Sequence, residues 1–180
     1  TVILFNQKTG HKFPTGSAEE RMLWLHVTAT DSKGKTYHLK VDRKGFEGED
    51  YTIASNVLAY QDMGVPLGIP GFAGIPRDGI PEGDRIFRMP YLDSQGRMTI
   101  QQWNTASFGP DYRLGPRETK SETFTWILPD DVELGALTVK AVLNYQKLPT
   151  PVAEYLGVPK EEAEIIEVNF HQTYLTVVDD

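Results

Sequence analysis

Four imidazoles, His11, His26, His38 and His171, are the side chains in this sequence with most chemistry to offer. A neutral imidazole ligates transition metals, and near neutral pH it exchanges protons. His26 and His38 fall in the two arms of one expected hairpin. They lie about equally far from a turn near Lys33-Gly34, so they can be cross-strand neighbours. A copper or zinc site on that pair is chemically reasonable, with His11 as a conceivable further ligand. No third ligand stands at a suitable spacing nearby, and two packed or solvated strand histidines are the plainer alternative. His171, in Asn169-Phe170-His171-Gln172, alternates as an ordinary strand position.

His11 differs through its frame, Asn6-Gln7-Lys8-Thr9-Gly10-His11-Lys12-Phe13-Pro14-Thr15-Gly16. Gly10 and Gly16 permit positive φ, Pro14 fixes one φ and extends the residue before it, and Phe13 is an apolar anchor. An imidazole held at several points suits an axial metal ligand or an acid–base group. The alternative is a histidine that only hydrogen-bonds within a tight turn.

Other constellations are poorer. The acidic pairs Asp130-Asp131, Glu161-Glu162 and Asp179-Asp180 sit in turn-like or helix-start contexts, where solvation accounts for them. Glu47-Gly48-Glu49-Asp50 offers oxygen ligands without the spacing of a calcium loop. The sequence contains no G-x-S-x-G, no Walker-type glycine loop and no H-E-x-x-H, and no nucleophile–base–orienter set is visible. An enzyme activity of its own is therefore not expected. Trp103, Tyr112 and Trp126 could stack on a sugar ring, which keeps a carbohydrate- or ligand-binding module of a secreted enzyme open as an alternative.

The elements that must position these residues are mostly strands. Period-two alternation marks Thr1–Asn6, Arg21–Asp31, Lys35–Val41, Arg85–Met89, Arg97–Trp103, Ser121–Leu128, Leu137–Gln146 and Ile165–Val178. Asp31-Ser32-Lys33-Gly34 and Asp93-Ser94-Gln95-Gly96 read as hairpin turns. Helix signals are limited to Thr150–Gly157, closing on a C-cap glycine, and a turn after Pro159. The expected fold is an all-β antiparallel sandwich, Ig-like, as one domain over residues 1–180. A partly closed barrel is the nearest alternative. Gly64 to Gly83 breaks the pattern as a long Gly/Pro-rich loop that is nevertheless apolar through Val65, Leu67, Ile69, Phe72, Ile75 and Ile80. Such a loop either covers an open end of its own sandwich or docks another domain or subunit.

Composition bounds the rest. The 180 residues carry 18 Lys+Arg against 25 Asp+Glu, a formal charge of −7, with the basic residues scattered. This argues against a phosphate-tracking surface, so no nucleic acid is expected. No stretch is long and apolar enough to span a membrane as a helix. There is no cysteine, which excludes a disulfide framework, a thiolate metal site and covalent haem attachment within these residues. The start at Thr1, already in a strand-like run, reads as a processed chain or a piece of a larger one.

The segment N-x-x-x-G-H-K-F-P-T-G (Asn6–Gly16), followed by Arg21-Met22-Leu23-Trp24 and the Asp31-x-x-Gly34 turn, resembles a β-sandwich domain of multihaem c-type cytochromes. The resemblance continues in Arg85–Arg88, Asp111–Glu118, Glu122–Pro129 and Val139–Tyr145. Such domains lie toward the C-terminus, after a run of Cys-x-x-Cys-His motifs, in extracytoplasmic electron-transfer proteins. The resemblance implies haem c in trans, held by another domain or chain, with His11 as a distal axial ligand and Phe13 and Pro14 against the porphyrin edge. It also implies a periplasmic or extracellular location. Contact with a haem-bearing partner follows from it, and residues 64–83 are a candidate surface for a redox partner or oligomer.

Overall fold

The computed structural model describes residues 1–42, 63–64, 68, 70–72, 74–75 and 79–179. The strand alternation at Met22–Thr30 builds the central strand of a five-stranded antiparallel sheet. In chain order the strands are β1 (Val2–Phe5), β2 (Met22–Thr30), β3 (Thr36–Leu39), β4 (Arg85–Ile86), β5 (Tyr91–Leu92), β6 (Ser107–Phe108), β7 (Thr119–Glu122), β8 (Gly135–Gln146) and β9 (Ile165–Val177). The large sheet runs β3-β2-β8-β9, and β4 also pairs with β2. β8 pairs with β2 from Met22↔Gln146 to Thr30↔Thr138 and so occupies one whole edge of it. The other edge is shared: β3 takes Val27 to Thr30, and β4 takes Trp24 and Leu25. β1 pairs with β7, and β5 with β6, as separate two-stranded ribbons. The all-β antiparallel expectation holds.

Because side chains alternate along a strand, β2 feeds two cores. Leu23, Leu25, Val27 and Ala29 pack with Leu39, Phe87, Leu114, Leu137 and Ala141, against Val2 and Leu4 of β1. That contact makes the two-layer packing. Met22 and Trp24 point the other way and join Met63, Ile75, Ile80, Ile86, Met98, Ile100 and Val152. Each large apolar side chain so buried contributes about 1.5–3 kcal/mol. The first of the two roles weighed for the Gly/Pro-rich loop accounts for Ile75 and Ile80, each 1% exposed within the chain's own core, with Phe72 packed against them. Val65, Leu67 and Ile69 lie outside the described residues, as does the Glu47–Asp50 cluster.

A buried ion pair ties the layers. Arg85 of β4 donates through Nε to Glu122 Oε1 of β7 at 3.1 Å, with side chains 1% and 2% exposed. The Arg85 guanidinium also lies 4.5 Å from the centre of the Tyr112 ring.

Three expected strands fall short of their alternation: Arg85–Met89 is a strand only at Arg85–Ile86, Ser121–Leu128 ends at Glu122, and Arg97–Trp103 forms no strand. At Arg97–Trp103 only Met98 bridges to Leu92, and Gln102–Asn104 is a 3₁₀ turn. The Thr99 hydroxyl accepts from Gln101 N at 3.0 Å, a local bond that competes with the ladder. Past Glu122 the chain is held by Asp42, whose carboxylate accepts from Thr125 N (2.8 Å) and Oγ1 (2.7 Å). α1 (Thr150–Leu156) ends as expected on Gly157, in the left-handed region at φ 63°.

β9 is the outermost strand of the large sheet, thirteen residues long. It carries exposed Ile165, Ile166, Val168, Phe170, Tyr174 and Leu175.

Candidate functional site

The His11 loop is built around Asn6, which is buried. Its Nδ2 donates to His11 O (3.3 Å) and Leu114 O (3.2 Å), and its Oδ1 accepts from Thr9 N (3.2 Å) and Thr9 Oγ1 (2.5 Å). Phe13 and Leu114 exchange both backbone bonds, at 2.8 and 2.9 Å. The Phe13–Pro14 peptide is cis, and Pro14 is buried. The Phe13 ring is half-buried and stacks on Tyr145 with centroids 5.6 Å apart. Gly16 does sit at φ 80°, whereas Gly10, contrary to the sequence expectation, is not among the positive-φ glycines. There the Asn6 and Thr9 hydrogen bonds turn the chain.

His11 itself is exposed, with Nδ1 3.1 Å from Lys12 O. In the tautomer where Nδ1–H donates to that carbonyl, the Nε2 lone pair is left for an electrophile. This is the arrangement by which backbone oxygens orient metal-binding imidazoles. Lys12 is fixed in turn: Nζ lies 2.7 Å from Asp111 Oδ2, and Arg113 Nη2 lies 2.9 Å from the same oxygen. Burial pushes the Asp111 carboxyl up, but hydrogen bonds from Arg113 and Lys12 outweigh it and hold the group well below the usual carboxylate range.

A second cluster forms where the two occupants of the shared β2 edge meet. Thr28 pairs with His38, which puts His26 diagonally across from His38 on the same face. Leu25 pairs with Arg85, so one step further along that register Asp84 arrives beside His26. The turn Pro81-Glu82-Gly83-Asp84, closed by Asp84 N to Pro81 O at 3.2 Å, delivers it. Gly83 adopts φ 97° there, and a Cβ on it would meet Lys40 Cγ at 2.5 Å.

His26 Nδ1 lies 2.9 and 3.0 Å from the two Asp84 oxygens, and His38 Nε2 lies 2.7 Å from Oδ1. The rings stack with centroids 5.0 Å apart. The Asp84 side chain is fully buried, while those of His26 and His38 are 27% and 26% exposed. These ligand atoms all lie within 4.8 Å of one another. The structure thus pairs the two histidines as the turn position suggested and supplies the third ligand that local spacing did not. The sequence reading missed Asp84. Its only signal was a Pro-Glu-Gly-Asp turn ahead of a short strand.

The remaining candidates are apart. His171 is exposed on β9, opposite Ala141. Trp103 is 82% exposed on its 3₁₀ turn and lines one groove with Tyr155, Gln101 and Gln102. Tyr112 receives Arg85, and Trp126 lies against Tyr37, with centroids 5.4 Å apart.

No family model and no curated protein matches the chain. A solved structure does: a penta-haem cytochrome c552 from Thermochromatium tepidum, with a TM-score of 0.58 and 20% identity over 96% of this chain. The likeness is one of fold. This chain corresponds to 34% of the length of that cytochrome.

Proposed function

We propose that this chain is a non-catalytic β-sandwich domain, residues 1–180, of an extracytoplasmic multihaem cytochrome, and that it serves electron transfer by packing on a haem-bearing domain or chain. The observation that carries the reading is the fold likeness to a penta-haem cytochrome across nearly the whole chain. The His11 loop supports it independently, since that loop presents an exposed imidazole with Nδ1 engaged by a backbone carbonyl.

In this reading His11 supplies a distal axial ligand to a haem held elsewhere, through Nε2. Two strong imidazole ligands close haem iron to substrate and suit it to electron transfer. Pro14, expected against the porphyrin edge, is buried and instead braces the loop with the buried side of Phe13, while the exposed part of Phe13 meets the porphyrin edge. The absence of cysteine means that any haem served this way is attached outside these residues. In this reading residues 64–83 also offer a contact surface for a redox partner or oligomer.

The test is His11→Ala in the full haem-bearing protein, read by optical and electron paramagnetic resonance spectra and by haem-resolved redox titration. One haem is expected to lose its bis-imidazole signature and shift in potential. Unchanged spectra and potentials for every haem would end the ligand assignment. Of the aromatics expected to carry the carbohydrate-binding alternative, Tyr112 and Trp126 are engaged by Arg85 and Tyr37, and that reading now rests on Trp103, which shares a groove with Tyr155, Gln101 and Gln102. Calorimetry against a polysaccharide panel separates the two, because the cytochrome reading predicts no heat of binding.

A further inference from the structure

We infer that His26, His38 and Asp84 form a metal site for one divalent ion of the zinc type, tying together β2, β3 and the turn that leads into β4. The inference does not depend on the haem reading.

The donor set is two imidazole nitrogens and one carboxylate oxygen. Calcium and magnesium prefer all-oxygen shells, whereas this mixture suits zinc or copper(II). Around a tetrahedral ion with bonds of about 2.0–2.1 Å, donor atoms stand about 3.3 Å apart. The spacings to Asp84 are 2.7 to 3.0 Å. The two contacts to Asp84 therefore need to open by a few tenths of an ångström, while the imidazole nitrogens, within 4.8 Å of each other, need to close by up to about 1.5 Å. Both histidines keep an exposed edge, so a fourth position remains open to water.

Charge argues the same way. A fully buried carboxylate is costly without a partner of opposite sign. Among the described residues, the side chains bonded to the Asp84 carboxylate are two imidazoles, which are neutral unless protonated. Arg85, the adjacent cation, alternates to the opposite face and is committed to Glu122. A divalent ion supplies the missing charge and replaces the imidazole hydrogen bonds with coordinate bonds. The site also lies at a structural weak point, where one strand hands the β2 edge to another.

The experiment is a titration of the chelator-treated protein with Zn²⁺ alone, followed by calorimetry and by histidine side-chain NMR. One equivalent is expected to bind, with the His26 and His38 ring signals moving together and the thermal unfolding midpoint rising. Loss of one outer-shell partner typically weakens a metal site by about 10–100-fold, so loss of the direct ligand in His38→Gln should weaken binding at least that much. His38 is partly exposed, and its variant is expected to fold. Asp84→Asn serves as a second variant, with circular dichroism as the folding control. Binding well below one equivalent, affinity unchanged in His38→Gln, or Zn²⁺ shifting His11 or His171 in place of this pair would each overturn the site.

Discussion

The two imidazole sites are constructed by opposite means. The His11 loop is built mainly from neighbours: Asn6, Thr9, His11 and Phe13 span eight positions, and its long-range ties run to the segment Asp111–Glu118, where Leu114 receives both the Asn6 amide and the Phe13 bridge, and to Tyr145. The His26–His38–Asp84 cluster is assembled by register, and Asp84 is brought to His38 from 46 residues away. The first site leaves a single ring exposed at the surface. The second turns its ligands on one another around a carboxylate that water does not reach. A ligand presented outward needs a rigid loop, whereas a closed cluster needs the sheet to be paired correctly.

The largest effect should come from unpinning the strand that carries the second site. Arg85→Ala leaves Glu122 buried without its cation and should cost about 3–5 kcal/mol in chemical denaturation. It should also weaken Zn²⁺ binding while leaving the backbone signals of residues 6–16 in place. If both regions respond alike, they are one cooperative unit and the contrast fails.

Next is Asn6→Ala, which strips the carbonyls of His11 and Leu114 of a buried donor. A loss of about 2 kcal/mol is expected, with the His11 ring signal moving to its free-peptide position and the His26 and His38 signals unmoved. Gly83→Ala should cost about 1–2 kcal/mol, since the residue sits in the left-handed region and its Cβ meets Lys40. This variant should impair the cluster and spare the His11 loop.

The smallest effect is the share of the pH dependence that comes from the His11 side, through Asp111. The folded state holds the Asp111 carboxyl below its ordinary value of 3.8, so it binds fewer protons than the unfolded chain. Its contribution is therefore complete above about pH 5 and is lost as the pH falls through the acid range. Asp111→Asn should flatten the acid limb of the stability curve, as measured by urea midpoints between pH 5 and pH 3.

Legibility in the sequence followed the same division. The Asn6–Gly16 frame announced a constrained loop because glycine, proline and asparagine act on their own neighbourhood. The Asp31-x-x-Gly34 turn could likewise be read, since Asp31 Oδ1 accepts from Lys33 N and Lys35 N within it. The hairpin then placed His26 near His38. Asp84 could not be found this way, because its position depends on which strand occupies the β2 edge beyond β3. The overlong strands at Arg97–Trp103 and Ser121–Leu128 failed for a related reason. Alternation reports two faces but says nothing about hydroxyls or a distant Asp42 capturing the backbone.

The outer margin of β9 has a practical consequence. Thirteen residues of extended backbone, with apolar side chains on both sides, form a template onto which further β-structure can grow. On its own, the polypeptide should stick to itself as concentration rises. Dilution, more than cooling, is then the variable that keeps preparations monodisperse.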